Sequence, residues 1–149
     1  MRVEDVYKAY QPIDNLNLKK DTIEKQKQQQ IINKLKTIEK RVIAHELAHK
    51  SVGGEFTGAI RYKYVVGPDG KRYIVGGDVP IYIKKGKTPE ETIKIAEKIR
   101  AAALAPSDPS PQDLRVAAMA TALEMQARAE LYRKNMEDSK KGNNVNLYT

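Results

Sequence analysis

Ile31, Leu35, Ile38 and Val42 recur at helical spacing, and the same steps carried forward land on His45 and His49. Apolar residues three and four positions apart share one face of an α-helix. Both imidazoles are therefore expected on the packed side of a long helix rather than in solvent. Asp21 followed by Glu24 has the form of a capping box and reads as the start of that helix. Gly53 and Gly54 are its expected end, because glycine tolerates the left-handed backbone of a helix C-cap.

The remaining segments order themselves around this helix. Residues 1–20 show no clear periodicity and contain Pro12, Asn15 and Asn17, which reads as an irregular N-terminal arm. Ala59 to Val66 is rich in β-branched and aromatic residues, Gly67-Pro68-Asp69-Gly70 supplies a turn, and Lys71 to Val75 reads as the returning strand. Gly76-Gly77-Asp78 interrupts that strand and marks a bulge or a close backbone approach, after which Val79 to Ile83 resumes a strand-like pattern. Thr88-Pro89-Glu90-Glu91 opens a helix to about Leu104, stopped by Pro106. Ser110-Pro111-Gln112-Asp113 repeats the device for an Ala-rich helix reaching roughly Asp138, and residues 141–149 read as a frayed tail. The expected fold class is α+β: a single domain over 21–140 with a long helix, a β-hairpin and two C-terminal helices. With no Trp and one Phe, its core must be mostly aliphatic.

His45-Glu46-Leu47-Ala48-His49 is an HExxH sequence, and it holds both histidines of the chain. Residues four apart on a helix stand one turn above each other, so two imidazole nitrogens can reach one ion. Zinc suits two neutral imidazoles, a carboxylate and a water. The expected chemistry is hydrolysis, with Glu46 as the base that takes the water's proton. No third histidine exists, so a protein-derived third ligand must be a carboxylate. Glu55 lies six residues after His49, where the extended form of the motif has its third histidine, but Val52 stands where that form needs a glycine. Asp78 lies where bare glycine backbone can bring a carboxylate close, and Glu97 is a further candidate. Glu124 and Glu130 read as solvated helix acids, and Asp113 as a capping acid at the third helical position.

Composition narrows the class. A net charge of +8 invites a nucleic-acid reading, yet the lysines are mixed with Glu along helical segments, as in residues 34–41, which a solvated helix face explains. Nucleic acid is not expected as the main partner. No apolar run approaches bilayer length, and the N-terminus carries acids where a signal peptide has its apolar region. The expectation is a cytoplasmic protein with no membrane span. The absence of Cys removes disulfides and thiolate metal sites.

From about Val42 to Leu131 the chain resembles the SprA-related family, bacterial proteins described as metalloproteases. The resemblance rests on Ala44-His45-Glu46-x-Ala48-His49, Tyr62-x-Tyr64, Gly67-Pro68-Asp69-Gly70 and Tyr73-x-Val75-Gly76-Gly77-Asp78-Val79. It continues through Arg100 to Pro106, Pro109-Ser110-x-Gln112-Asp113 and Val116-Ala117. The resemblance implies a small zincin-like domain that binds zinc and cleaves a peptide or protein substrate. It also favours Asp78 as the third ligand, since the family carries an acid, usually Glu, at this glycine-flanked position. Tyr62 and Tyr64 are candidate oxyanion or substrate contacts, with cross-strand packing as the plainer explanation. The rival expectation is a catalytically inactive, zinc-stabilised interaction domain.

Overall fold

The computed structural model describes residues 2–145. Helix α1 spans Val3–Gly53 and is followed by a single 3-10 turn, Gly54–Phe56; strands β1 (Arg61–Val66) and β2 (Arg72–Asp78) form a two-stranded sheet; helices α2 (Pro89–Ala103) and α3 (Pro111–Val145) complete the chain. The architecture is α+β, with the hairpin between the long helix and the two C-terminal helices in sequence. Among the described residues no helix is long and apolar enough to cross a membrane.

The start of α1 corrects the sequence reading. Helix begins at Val3, so the segment expected to be an irregular arm is helical and Asp21 lies in a helix interior. The reason is that residues 1–52 contain no glycine and a single proline, and are rich in Lys, Gln, Glu, Leu and Ile, which favour helix once one is propagating. Polar side chains that can compete with the helix instead bond back onto it: Thr22 Oγ1 donates to the Leu18 carbonyl at 2.8 Å, and Thr37 Oγ1 to that of Asn33 at 3.0 Å. The apolar stripe becomes buried only along its length. Ile31 is exposed, Leu35, Ile38 and Val42 are half-buried, and His49 is buried. At the other end α1 stops at Gly53 as expected, and Gly54 takes a φ of 51° that favours glycine.

The chain divides into two compact units, Met1–Arg41 with Lys63–Gly76, and Val42–Tyr62 with Gly77–Thr149. In the first, the Glu39 carboxylate accepts the Ile74 backbone N–H at 2.8 Å. Tyr73 is buried, and its hydroxyl donates to Asp69 at 2.5 Å across the turn. That bond pushes the Tyr73 phenol up to about 12 and holds the Asp69 carboxyl below its ordinary value.

In the second unit, α2 and α3 pack through small residues. Ala96, Ile99, Ala102 and Ala103 of α2 are buried, as are Ala117, Ala120, Leu123 and Ala127 of α3. Alanine at the contact lets two helix backbones approach closely, so a core with little aromatic content still fills. Phe56, Ile99 and Ala120 form its centre, with Ile81, Ile95 and Val116 packed against them. Glu124 of α3 pairs with Arg100 of α2 and with Arg128, which also reaches Glu97. Both predicted caps form: Thr88 Oγ1 accepts the Glu91 N–H at 3.1 Å, and Ser110 Oγ accepts the Asp113 N–H at 3.1 Å.

Two further expectations are revised. Strand β2 runs unbroken through Gly76, Gly77 and Asp78. The resumed strand over Val79 to Ile83 is reduced to an isolated antiparallel bridge between Thr57 and Ile81, because Pro80 has no N–H to give a ladder. Helix α3 continues beyond Asp138 to Val145, so residues 141–145 of the expected tail are helical and 146–149 lie outside the described residues.

Candidate metal centre

The last two turns of α1 present His45, Glu46 and His49 to one cleft of about 470 Å³, which Gly77, Asp78 and Asp113 also line. One helical turn separates the two histidines, and their rings stand edge to face with centroids 4.8 Å apart. The Nε2 atoms are 3.2 Å from each other. A third group completes the set: Asp113, in the first turn of α3, places Oδ2 3.3 Å from His45 Nε2 and Oδ1 3.3 Å from His49 Nε2. Its own backbone holds it there. The Ser110 N–H donates to Asp113 Oδ2 at 2.7 Å while Ser110 Oγ accepts the Asp113 N–H, a reciprocal capping box.

The outward-facing nitrogens settle which ring atoms carry protons. His49 Nδ1 is 2.8 Å from the Ala102 carbonyl, an atom that only accepts, so Nδ1 carries a proton, and in the neutral ring the lone pair is then on Nε2. That carbonyl is available because its normal helical donor, four residues on, is Pro106, which has no N–H. His45 Nδ1 faces Asp108 Oδ1 at 3.3 Å, which favours the same tautomer. Two imidazole lone pairs and the two oxygens of the Asp113 carboxylate then face one another. Ligand atoms at ~2.0–2.1 Å from a tetrahedral zinc stand ~3.3 Å apart, and three acceptors at that spacing repel unless a cation lies among them. The two Nε2 atoms are 3.2 Å apart and each stands 3.3 Å from a different oxygen of the Asp113 carboxylate, so His45, His49 and Asp113 fit such an ion.

Glu46 lies beside these residues and is only 5% exposed. Burial raises its pKa; the two imidazoles oppose that shift, and the charges of Asp113 and Asp78 add to it. A buried carboxylate of raised pKa is a better proton acceptor than an exposed one when ionised. The room for it comes from Gly77, where a Cβ would lie 2.7 Å from Glu46 Cγ. Close backbone approach, rather than a bulge, is thus the reason for Gly77 in β2.

The acid that meets both imidazoles is Asp113 rather than the favoured Asp78. Asp78 lines the cleft but is half exposed and pairs with Arg61. Glu55 lies in a separate pocket with Lys84, Lys85 and Lys87. Glu97 and Glu124 are taken by arginines, and Glu130 lines a surface pocket beside Arg133. Tyr62 is half-buried and not among the residues lining the cleft, where Tyr82 is found instead. Tyr64 belongs to the other unit, with the Arg72 guanidinium 4.4 Å over its ring. Sequence reasoning assigned Asp113 a capping role and stopped there, although a capping carboxylate keeps lone pairs to spare. Asp108 and the Ala102 carbonyl were missed; Pro106, four residues after Ala102, was the available signal.

No curated protein and no solved structure matches the chain. The SprA-related family matches residues 4–144, a span that takes in both helical arms of the centre, the hairpin and Asp113. The chain belongs to the SprA-related family.

Proposed function

We propose that this chain is a zinc-dependent peptidase in which His45, His49 and Asp113 hold the ion and Glu46 is the base. One observation carries the reading: two Nε2 atoms 3.2 Å apart, each 3.3 Å from an oxygen of the Asp113 carboxylate, with a buried carboxylate on the adjacent helical position. Zinc bound there supplies a polarised carbonyl and a water of lowered pKa. Glu46 accepts the proton from the attacking water and passes it to the leaving amine, which its raised pKa favours. Gly77 keeps that carboxylate in place without crowding it, and Asp113 stays fixed by its capping box. The cleft wall from Gly77 to Ile81 suits an extended peptide lying along it.

The test begins with metal analysis of protein purified without a His tag, where about one zinc per chain is expected. Glu46→Gln should retain that zinc and slow cleavage of a mixed peptide library about 10²–10⁴-fold. Wild-type protein that takes up no zinc ends the reading at its first step. Undiminished cleavage by the zinc-loaded variant removes Glu46 as the base.

A further inference from the structure

The last turn of α2 and its connection to α3 touch each of His45, His49 and Asp113. The Ala102 carbonyl takes the His49 Nδ1 proton at 2.8 Å, Asp108 Oδ1 stands 3.3 Å from His45 Nδ1, and the Ser110 N–H donates to Asp113 Oδ2 at 2.7 Å. Two of these partners are backbone groups, fixed by the fold. Asp108 is the exception, a side chain 60% exposed with no packing need that explains it.

We propose that Asp108 is a positioning residue for the metal centre: its carboxylate accepts the Nδ1 proton of His45 and thereby keeps the Nε2 lone pair directed at the ion. The inference rests on the zinc reading above. His45 needs such a partner more than His49 does. Its side chain is 17% exposed against 2% for His49, and no backbone carbonyl holds its ring. A neutral imidazole exchanges its proton between the two nitrogens, and only the Nδ1–H form can ligate through Nε2. An ionised acceptor beside Nδ1 selects that form and raises the basicity of the ligating nitrogen.

The chain around Asp108 is built to hold it still. Residues 106–111 read Pro-Ser-Asp-Pro-Ser-Pro, so three of six φ angles are fixed by proline rings. Asp108 precedes Pro109, which disfavours helical backbone at Asp108 itself, and residues 106–108 form a bend. Little entropy remains to be lost when the carboxylate meets the imidazole. The one acid in this stiffened connection stands at the one ligand whose outer nitrogen lacks a backbone partner.

The experiment compares wild type, Asp108→Ala and Asp108→Asn by zinc competition against a chromophoric chelator and by long-range ¹H–¹⁵N correlation spectra. The chain's two histidines give two imidazole patterns, one of which, the buried His49, serves as an internal control. Asp108→Ala should weaken zinc about tenfold, the lower end of the range for outer partners of metal ligands. In the metal-free protein it should move one imidazole, that of His45, away from the pure Nδ1–H pattern while leaving the other unchanged. Asp108→Asn keeps an accepting oxygen and should restore both the pattern and most of the affinity. If Asp108→Ala binds zinc as tightly as wild type with both imidazole patterns unaltered, the positioning role is refuted and the metal centre stands. If both variants lose affinity equally with no tautomer change, Asp108 acts through local structure and the role is again refuted. Wild-type protein that binds no zinc overturns the centre and this inference with it.

Discussion

Two carboxylates line the same cleft from opposite kinds of structure. Asp78 ends a β-strand next to paired glycines, and Asp113 sits in the first turn of a helix. The strand context looked like the metal ligand's, and the helix context like a cap. In the fold Asp78 pairs with an exposed arginine, while Asp113 satisfies its cap and still faces both imidazoles. What differs is constraint. A carboxylate at the third position of a capped helix is held by two backbone-linked hydrogen bonds, so placing it beside two fixed nitrogens costs little further ordering. A half-exposed strand-end acid has no such restraint. Gly77 beside Asp78 makes room for Glu46 instead, which gives the glycine of this element a role at the cleft apart from its acid.

The largest effect expected from substitutions around this pair falls on the ligands themselves. His49→Ala should lower zinc affinity more than 100-fold, beyond the range of outer-partner changes, with bound zinc read by competition and elemental analysis. Gly77→Ala comes next and separates the strand's role from metal binding. The added Cβ would lie 2.7 Å from Glu46 Cγ, so peptide cleavage should fall about 10–100-fold with zinc affinity near wild type. Zinc loss in Gly77→Ala, rather than rate loss, would move the strand's role onto the metal. Ser110→Ala sharpens the helix side: it removes the acceptor for the Asp113 N–H but keeps the Ser110 N–H, so it should cost about 1 kcal/mol of stability and change zinc affinity only a few-fold. Thermal unfolding and chelator competition measure the two parts.

The smallest effect belongs to the turn end of the hairpin. Tyr73→Phe removes the bond to Asp69 and should lower the melting temperature slightly without touching zinc. The pH dependence has a definite sign. The Tyr73 phenol is pushed up to about 12, so its contribution is complete below the ordinary phenol pKa of 10 and is lost as pH rises from there toward 12. Asp69 is lowered, so its contribution is present above 3.8 and fades as pH falls below that value. The melting difference between wild type and Tyr73→Phe should therefore be flat at neutral pH and vanish toward pH 12.

The features legible in the sequence were those decided by a few neighbouring residues. Thr88-Pro89 and Ser110-Pro111 marked the starts of α2 and α3 correctly, because a capping hydroxyl and a proline act within one turn. Gly53-Gly54 ended α1 for the same reason. Asp21 and Glu24 misled because a capping box is an option open to those side chains, and a helix already propagating from Val3 leaves no free N–H for it to satisfy. The HExxH pair was legible because both histidines belong to one helix. The meeting of Asp113 with those two imidazoles was not, since Asp113 stands 64 positions after His49 in sequence and its local role explained it completely. Reading one role per side chain hid the second. Glu55 and Glu97 lie apart from the two imidazoles for a reason that sequence does not carry, namely which cation each one meets in the fold.

The measurement that bears most directly on the centre is the zinc dissociation constant of Asp113→Ala against Asp78→Ala, taken side by side by chelator competition, with folding of both checked by circular dichroism. The account predicts a loss of more than 100-fold for Asp113→Ala, because a ligand is gone. For Asp78→Ala it predicts a constant within about fivefold of wild type, the scale of an exposed ion pair. A folded Asp113→Ala protein that binds zinc as wild type does, with the loss appearing in Asp78→Ala instead, would contradict it.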